Sequence, residues 1–434
     1  MSQSANSTSS AAQGRKSKFE LECTPKIRGY QKEWYANLRQ RVEGGEPFLL
    51  VEAMTPHEIF ESFDIPFVTN EWWSGIVAAK RLSPYYFDLL EQKGFSKGLE
   101  RYCALSLAGA IDNGAHPEPA WGGLPKPAMY VQGMPEATRV EFGERNAAEM
   151  GVPFISLAQP LTGKPMPLRW WETSRHGWEA LCPAWQIDYL QSQYGELIKK
   201  LEEITGRKFD SEKLREVNEL SNRQQRIFED IRNMIITSPK SPVALSEMLG
   251  NVMAIQWQRG TQWAVDAATS LRDEIRARVD AQQYTCPNEE YRFAWYGPGL
   301  WQNTAFYRMF EESYGAVFVQ SIYMSLAIDA YPRYGADTVR ALASRYCAFG
   351  LYTMDWQVHE ALTHGCEGIV TVKASVNGLL RAALERADIP LLVLDIDLVD
   401  GRTWDEEAVK QAMGKFIEEQ VKPRRARLAE QKAG

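Results

Sequence analysis

Closely spaced cysteines are absent from this chain of 434 residues. Zinc ribbons and ferredoxin-type cluster loops need thiolates a few residues apart, so neither motif is present. In a chain of this size the scattered thiols do not indicate a disulfide framework, and most are expected to be buried and inert. The six cysteines are Cys23, Cys103, Cys182, Cys286, Cys347 and Cys366.

The sequence also lacks a basic tract, a long apolar run and the common nucleotide-binding motifs. It has 49 lysines and arginines against 56 acidic residues, and its net charge of −7 gives no electrostatic reason to expect nucleic acid or an anionic membrane as a partner. No run approaches the roughly 18 apolar residues that a membrane span needs. Neither a G-x-G-x-x-G turn after a strand nor a G-x-x-x-x-G-K-[ST] loop occurs. We therefore expect a cytoplasmic protein with neither nucleic acid nor membrane among its partners.

The pattern of apolar runs predicts an α/β fold with two lobes. Residues 18–165 and 288–405 each alternate short apolar strands with helices, which is typical of Rossmann-like parallel sheets. Residues 166–287 have apolar residues at three-to-four spacing, as in a long helical segment that joins the two lobes. The chain ends are predicted to be a disordered leader at 1–17, rich in Ser, Ala and Gln, and a C-terminal helix and tail at 406–434.

Local signals predict several helix ends. Thr55 is a favourable N-cap ahead of Pro56, and Glu58 would complete a capping box with it. In the bridging segment Gly206 interrupts one helix and Asp210 begins the next. This segment has no catalytic constellation, so functional residues are expected in the lobes.

Histidine is scarce, with five residues dispersed along the chain. Parallel α/β sheets bind ligands beyond the carboxyl ends of their strands, and His57 lies in the first turn of a helix that follows a predicted strand. Together with Glu58 it has the chemistry for proton transfer. The 14 tryptophans suit either an aromatic ligand or ordinary cores and interfaces. The residues alone indicate a two-lobed α/β protein with a cleft, and they leave its activity open.

Several longer stretches share their layout with one known family, among them YCALSLAGAIDNG, LEEITGRKFDSEKLREV, GPGLWQNTAFYRMFEESYGAVFV and CEGIVTVKASVNGLLRAALERADIPLLVLDIDLVD. Over roughly residues 45 to 420 the sequence resembles the 2-hydroxyacyl-CoA dehydratase and class I benzoyl-CoA reductase family. It is most similar to the B-type benzoyl-CoA reductase subunits. The resemblance implies a heterodimer of related two-lobed subunits, usually with one [4Fe–4S] cluster in each.

Three cysteines hold the cluster in this family, and only the first has a counterpart here. Cys103 matches the ligand that precedes a helix of the first lobe. The second ligand falls within residues 132–136 and the third within Ser375 to Asn377, and neither range contains a cysteine. A cubane needs soft thiolate donors. We therefore expect Cys103 to be the one matched metal ligand, no intact [4Fe–4S] cluster in this chain, and a cluster in the partner subunit instead.

The resemblance implies two functions of different classes. In the first, the chain is a subunit of a heteromeric, aromatic acyl-CoA dehydratase or reductase of anaerobic aromatic degradation. Its partners would be a homologous second subunit and, as a further candidate, an ATP-dependent activator. In the alternative, it is a non-redox acyl-CoA-binding or scaffolding subunit derived from that family. A metal-free lyase acting alone is a third class, which would depend on His57, Glu58 and Glu71.

The family places a CoA thioester between the lobes, and the strand ends suggest which residues line its site. His57 and Glu71 are the candidate catalytic residues. The candidate substrate-binding residues follow strands as well, and glycines there would let backbone N–H groups approach a phosphate or thioester oxygen. These residues are Thr55, Trp72, Trp73, Gly297, Pro298 and Gly299. The alternative for the Gly-Pro-Gly turn is that it only connects a strand to a helix.

Overall fold

Two parallel sheets form the framework of the protein. In the computed structural model, the described part of the chain comprises residues 20–96, 101–133, 137–158, 181–324, 333–349 and 354–433. The predicted leader at 1–17 and the first part of the predicted bridging segment, residues 166–180, lie outside the described residues.

The strands of each sheet follow the same order. In the first sheet the order is β2-β1-β3-β4, in the second it is β6-β5-β7-β8, and all pairs are parallel. The predicted α/β fold with two parallel-sheet lobes is thereby confirmed. The strands are β1 Leu49–Val51, β2 Phe67–Thr69, β3 Met129–Gly133, β4 Phe154–Leu157, β5 Tyr291–Tyr296, β6 Ala316–Ser321, β7 Gly368–Val372 and β8 Leu391–Leu394.

Helices cover both sheets and fill the segment between them. In the first lobe they are α1 Cys23–Glu43, α2 His57–Ser62, α3 Asn70–Ala79, α4 Ser83–Gln92, α5 Arg101–Asp112 and α6 Ala137–Met150. Between the lobes lie α7 Ala184–Thr205, α8 Ser211–Thr237, α9 Leu245–Gln256 and α10 Gln262–Asp280. The remaining helices are α11 Glu311–Tyr314, α12 Thr338–Phe349, α13 Met354–Thr363, α14 Gly378–Arg386, α15 Glu406–Phe416 and α16 Lys422–Ala433.

The local sequence explains most of these boundaries. The central strands β1 and β7 are buried throughout, as expected of parallel strands covered on both faces. Gly206 ends α7 in the left-handed region at φ +67°, and the Asp210 carboxylate caps α8 by accepting two backbone N–H groups. The predicted cap at Thr55 is wrong, because its hydroxyl donates instead to the carbonyl oxygen of Glu52 at 2.6 Å, and Pro56 occupies the N-cap.

The two lobes meet near the carboxyl ends of their strands. Arg101, at the start of α5, forms ion pairs with Asp397 at 3.2 Å and with Asp400, both of which follow β8. Arg402 reaches back to Asp88 of α4 at 2.6 Å. These contacts hold the strand ends of the second sheet against the first lobe, where ligands of α/β sheets bind. None of the described helices is both long enough and apolar enough to span a membrane.

Candidate functional site

A cavity of about 800 Å³ lies between the first lobe, the helical segment and the second lobe. This volume falls within the roughly 300–1,000 Å³ that is typical of small-molecule sites. Its wall is made by residues of α1, α3, α5 and α9 and by the loop after β5. They are Pro25, Arg28, Gly29, Gln31, Lys32, Glu71, Trp72, Gly75, Ile76, Ala79, Arg81, Tyr102, Trp121, Ser246, Gly250, Met253, Trp257, Trp301, Gln302, Asn303, Thr304 and Ala305.

Tryptophans from several elements form much of the cavity wall. Trp72 lies in the first turn of α3, which begins there because the Thr69 hydroxyl accepts the backbone N–H of Trp72. Its ring meets Trp121 edge-on, with centroids 5.3 Å apart. Trp257 follows α9, and Trp301 comes from the second lobe. Large flat rings on several sides of one cavity suit a planar or apolar ligand.

Cationic side chains border the same cavity. Arg28 and Lys32 lie one turn apart on α1, and Arg81 follows α3. Lys32 and Arg81 are exposed, whereas Arg28 is half-buried, and this burial lowers the pKa of its guanidinium from the usual value. Guanidinium and ammonium groups at the rim favour a ligand that carries negative charge at one end.

Hydrogen bonds between the lobes close the inner end of the cavity. The Tyr102 hydroxyl donates to the main-chain oxygen of Glu71 at 3.0 Å and accepts the indole N–H of Trp301 at 3.0 Å. The hydroxyl of Tyr323 lies 3.4 Å from that of Tyr102. Burial raises the pKa of Tyr323 to about 12 and raises that of Tyr102 well above its usual value. Both phenols therefore stay protonated and serve as hydrogen-bond donors.

Glu71 combines burial with access to the cavity. It is the second residue of α3, directly beyond the carboxyl end of β2, and only 6% of it is exposed. Its Oε2 accepts the backbone N–H of Ala53 at 2.9 Å, which fixes the carboxylate against the end of β1. A carboxylate held in this way at the inner end of a ligand cavity has the chemistry of an acid–base group.

Buried polar side chains extend from Glu71 along the ends of three adjacent strands. Glu52 follows β1, Asn70 follows β2 and Gln132 lies in β3. The Glu52 carboxylate accepts hydrogen bonds from Tyr130 and Gln132, each at 3.3 Å. Burial first, and then the Glu52 charge, raise the pKa of Tyr130 well above its usual value.

Cys103 belongs to the same buried cluster through its backbone. Its carbonyl oxygen accepts a hydrogen bond from the Asn70 amide at 3.3 Å, and 3% of the residue is exposed. At the position of the family's second thiolate, Gln132 is bonded to Glu52, while residues 134–136 lie outside the described part of the chain.

The position of the family's third thiolate is likewise filled by oxygen and amide groups. Ser375 packs against Gly297, and the Asn377 side chain caps α14 by accepting the N–H of Leu380. Among the described residues, no three His, Cys, Asp or Glu side chains are grouped closely enough to hold a metal ion. Hard oxygen donors are poor ligands for a cubane, so the described donor set does not fit a [4Fe–4S] cluster.

Of the residues predicted to line the cleft, Glu71 and Trp72 do line the cavity. Trp73, next to them, turns the other way into the core, where 1% of it is exposed and its ring packs on Tyr35 at 6.1 Å. The two neighbours separate because successive helical residues point about 100° apart.

Thr55 and His57 lie in the protein interior, and neither is exposed. The His57 ring packs on Phe67, with centroids 4.8 Å apart, and its Nδ1 accepts a guanidinium N–H of Arg259 at 2.8 Å. Burial, followed by the Arg259 charge, lowers the pKa of His57 well below its usual value, so the ring is neutral. The Thr55 carbonyl oxygen accepts hydrogen bonds from Arg259 and from Tyr346. These contacts hold three elements together, and neither residue is among those lining the cavity.

Glu58 is the centre of that buried network. Its carboxylate accepts Arg259 at 3.0 Å, Arg333 at 2.6 Å and the Tyr346 hydroxyl at 3.2 Å. Burial alone would raise the pKa of Glu58, but the two guanidinium charges hold it well below the usual range. Glu58 therefore joins α2 to the helical segment and to α12 as a permanent anion.

The Gly-Pro-Gly turn lies next to the cavity wall without being part of it. Gly297 has φ +107°, and a Cβ there would lie 2.6 Å from the Ser375 hydroxyl. The Pro298 carbonyl accepts the indole N–H of Trp295 at 2.8 Å. A Cβ on Gly299 would lie 2.8 Å from the ring of Trp301. None of the three turn residues lines the cavity, but Gly299 lies directly against the ring of Trp301, which does.

Sequence reasoning missed several residues of the cavity. Tyr102 immediately precedes Cys103, and Trp301 follows the Gly-Pro-Gly turn by two residues. Both are therefore close in sequence to predicted site residues. Arg28 and Lys32 lie on an amphipathic helix that no motif marks. Only the packing of α1 against the helical segment brings them to the cavity.

A two-lobed α/β architecture with a cavity between the lobes defines the structural class of this protein. The family described as 2-hydroxyglutaryl-CoA dehydratase, D-component, matches residues 52–419. Since this match covers well over half of the chain, the protein belongs to that family. The resemblance inferred from the sequence is thereby confirmed.

Individual relatives are distant in sequence. The (R)-2-hydroxyisocaproyl-CoA dehydratase alpha subunit of Clostridioides difficile is 25% identical over 293 residues, which is 67% of this chain and 67% of that relative. The (R)-phenyllactyl-CoA dehydratase alpha subunit of Clostridium sporogenes is 25% identical over 60% of this chain and 59% of its own. The B-type subunit of the benzoyl-CoA reductase of Thauera aromatica is 23% identical over 59% of this chain and 71% of its own. The alignments thus span 59% to 71% of these relatives' lengths.

Proposed function

We propose that the protein is a subunit of a heteromeric acyl-CoA dehydratase or reductase and binds a CoA thioester between its lobes. The observation that carries this proposal is one cavity that combines tryptophan walls, three cationic side chains at the rim and the Glu71 carboxylate at its inner end. Family membership supports it, because the relatives are subunits of acyl-CoA dehydratases and of a benzoyl-CoA reductase.

The distribution of charge suggests how the thioester would lie. CoA carries its phosphates at one end and the acyl group at the other. Arg28, Lys32 and Arg81 at the rim would bind the phosphates, because guanidinium and ammonium groups form charge-assisted hydrogen bonds with them. The acyl group would then enter between Trp72 and Trp301, whose flat rings favour a planar, aromatic acyl group.

Glu71 is the residue that we propose acts on the acyl group. Dehydration of a 2-hydroxyacyl thioester removes a hydroxyl group from one carbon and a proton from another, and the two leave as water. A carboxylate in the wall beside the acyl group would take up that proton. Its hydrogen bond from the Ala53 N–H would hold it in one orientation during the transfer.

A second chain is part of the proposal because the known relatives are named as subunits of larger enzymes. We propose that the partner is a homologous chain and that it carries the [4Fe–4S] cluster. The occupation of the two missing thiolate positions by Gln132 and by Ser375 to Asn377 supports this division. The cluster would supply the electron for the redox step, and this chain would bind and orient the thioester.

Calorimetry on the chain together with the proposed homologous partner tests the binding proposal. Benzoyl-CoA, a 2-hydroxyacyl-CoA and free CoA are the ligands. Arg81→Gln is expected to weaken acyl-CoA binding about tenfold, the effect of losing one hydrogen bond to a charged group. Lys80→Gln is the matched control, because this neighbouring exposed cation does not line the cavity. If none of the three ligands binds at millimolar concentration, the proposal is wrong, and membership of the family does not extend to CoA-thioester binding.

The alternative is a non-redox acyl-CoA-binding or scaffolding subunit, favoured by the single matched thiol of Cys103. Glu71→Gln separates the two, because it keeps the shape of the side chain and removes its basicity. In the enzyme, this variant with its partner is expected to bind the thioester normally and to lose most of its turnover. A complex that binds thioesters but transforms none, with or without the substitution, would support the alternative.

A further inference from the structure

A second cleft lies on the far side of the helical segment, between α8 and the start of α12. Its volume is about 320 Å³, near the lower end of the roughly 300–1,000 Å³ of typical ligand sites. It shares no lining residue with the cavity between the lobes. The wall consists of Arg215, Asn218, Glu219, Asn222, Arg223, Arg226, Arg333, Tyr334, Gly335, Thr338 and Ala341.

Arginines predominate among the charged residues that line the cleft. Four of its lining residues are arginines, and Glu219 is the only acidic residue among them. Three of the arginines, at positions 215, 223 and 226, lie on α8, whereas the Arg333 side chain is buried and paired with Glu58 at 2.6 Å. Like charges around a concave wall repel one another and concentrate the electrostatic potential, so a bound anion would stabilise this arrangement.

Two of these arginines are available to a ligand. Arg215 is held by Glu212 at 3.1 Å, and Arg333 donates to the buried carboxylate of Glu58. Arg226 reaches only the Tyr334 hydroxyl, at 3.4 Å, and Arg223 has no hydrogen bond or ion pair within the part of the chain that the structure describes. An anion in the cleft would therefore gain guanidinium donors without breaking an ion pair.

The floor and the rim of the cleft narrow the chemistry of the ligand. Asn218 is 3% exposed, its amide N–H donates to the Thr338 carbonyl, and its Oδ1 has no partner among the described residues. This acceptor suits a hydroxyl donor such as that of a sugar. At the rim, 66% of Tyr334 is exposed, which leaves a ring face for stacking on a planar base.

We infer that this cleft binds a nucleoside phosphate. Arg223 and Arg226 bind the phosphates, the Asn218 oxygen accepts a sugar hydroxyl, and the Tyr334 ring stacks on the base. The nucleotide comes either from a free nucleoside diphosphate or from the nucleotide end of CoA. This inference rests on residues outside the cavity and does not depend on the proposed function.

Calorimetry on the full chain at one fixed ionic strength tests it, with ADP, pyrophosphate and CoA as probes. The double variant Arg223→Gln/Arg226→Gln is expected to bind ADP at least about tenfold more weakly, because each guanidinium supplies a charge-assisted hydrogen bond. Arg276→Gln/Arg386→Gln removes the same charge from exposed positions elsewhere and is expected to leave ADP affinity unchanged. Tyr334→Ala is expected to weaken ADP binding but not pyrophosphate binding.

The outcomes separate the two sources and the two sites. Loss of CoA binding in the Arg223/Arg226 variant, with ADP affected equally, identifies CoA as the source of the nucleotide and contradicts the placement of the CoA phosphates at the cavity rim. Loss of ADP binding with acyl-CoA binding intact identifies a free nucleotide and leaves the cavity proposal standing. Failure of ADP to bind at millimolar concentration, or binding unchanged in the Arg223/Arg226 variant, overturns the inference.

Discussion

The indole N–H of Trp301 donates a hydrogen bond to the Tyr102 hydroxyl oxygen at 3.0 Å, across 199 positions of sequence. Tyr102 belongs to the first lobe and Trp301 to the second, so this bond joins the lobes at the inner end of the cavity. Tyr102 in turn donates to the main chain of Glu71. The Tyr102 hydroxyl therefore contacts both the second lobe and the main chain of Glu71.

Tyr102→Phe tests this connection. The substitution removes the hydroxyl and leaves the Trp301 donor and the Glu71 carbonyl without it in a buried site. A decrease of about 1–3 kcal/mol in the free energy of unfolding is expected, since buried groups lose their partners. Tyr85→Phe is the control, because it removes a hydroxyl with one partner, Asp112, from a residue that is 39% exposed. Equal effects of the two substitutions in urea titrations would contradict this reading of the lobe contact.

Glu58→Gln tests the buried network around α2. The Glu58 carboxylate lies between Arg259 and Arg333, and all three residues are buried. Removing the negative charge is expected to lower the free energy of unfolding by about 3–5 kcal/mol, because two guanidiniums then lose their shared counter-charge. Glu196→Gln breaks only an exposed pair with Lys199, so little or no change is expected there. A similar, small loss in both variants would show that the buried network contributes little.

Sequence reasoning succeeded where short-range rules decide the structure and failed where distant residues meet. The strand runs and the Asp210 cap depend on neighbouring residues, and both are found as predicted. His57 seemed suited to a cleft because it follows β1, but its role depends on Arg259, which lies 202 positions away. No local sequence pattern shows that the His57 ring will be buried and hydrogen-bonded to a guanidinium group. Residue spacing thus predicted which sheet edge borders the cavity, whereas packing decides which side chains face it.

His364 gives a prediction about pH. Burial lowers its pKa from the usual 6.5 to about 4, and its Nδ1 lies 2.7 Å from the carbonyl oxygen of Glu360. Below pH 6.5 the unfolded chain takes up a proton that the folded chain refuses until about pH 4, so stability present at neutral pH is lost on acidification.

Between pH 7 and about pH 5 this histidine should therefore contribute a loss of about 2 kcal/mol. His364→Gln cannot take up the proton, so its unfolding free energy is expected to fall by that much less over the same interval. Denaturant titrations at the two pH values measure the difference. An equal fall in unfolding free energy in the two proteins between these pH values would mean that His364 does not resist protonation.

Iron content tests the proposal that the partner, and not this chain, carries the [4Fe–4S] cluster. Purified alone without oxygen, the chain is expected to hold no stoichiometric iron and sulfide, because Cys103 is the single matched thiol of the expected three. Cys103→Ala is then expected to leave the visible absorption spectrum unchanged. A full complement of iron and sulfide, together with a charge-transfer band that Cys103→Ala abolishes, would show that other ligands complete a cluster in this chain.

Gly297→Ala tests whether the Gly-Pro-Gly turn requires glycine at its first position. Gly297 has φ +107°, which a side chain disfavours, and an added Cβ would lie 2.6 Å from the Ser375 hydroxyl. A loss of about 1–3 kcal/mol in unfolding free energy, measured by urea titration, is expected. At Gly206, φ is +67° but nothing lies within 4 Å of an added Cβ, so Gly206→Ala measures the backbone strain alone. Ser375→Gly removes the colliding hydroxyl. The double variant Gly297→Ala/Ser375→Gly is therefore expected to lose only as much unfolding free energy as Gly206→Ala does. Failure to recover any of it would mean that the collision with Ser375 does not determine the need for glycine at this turn.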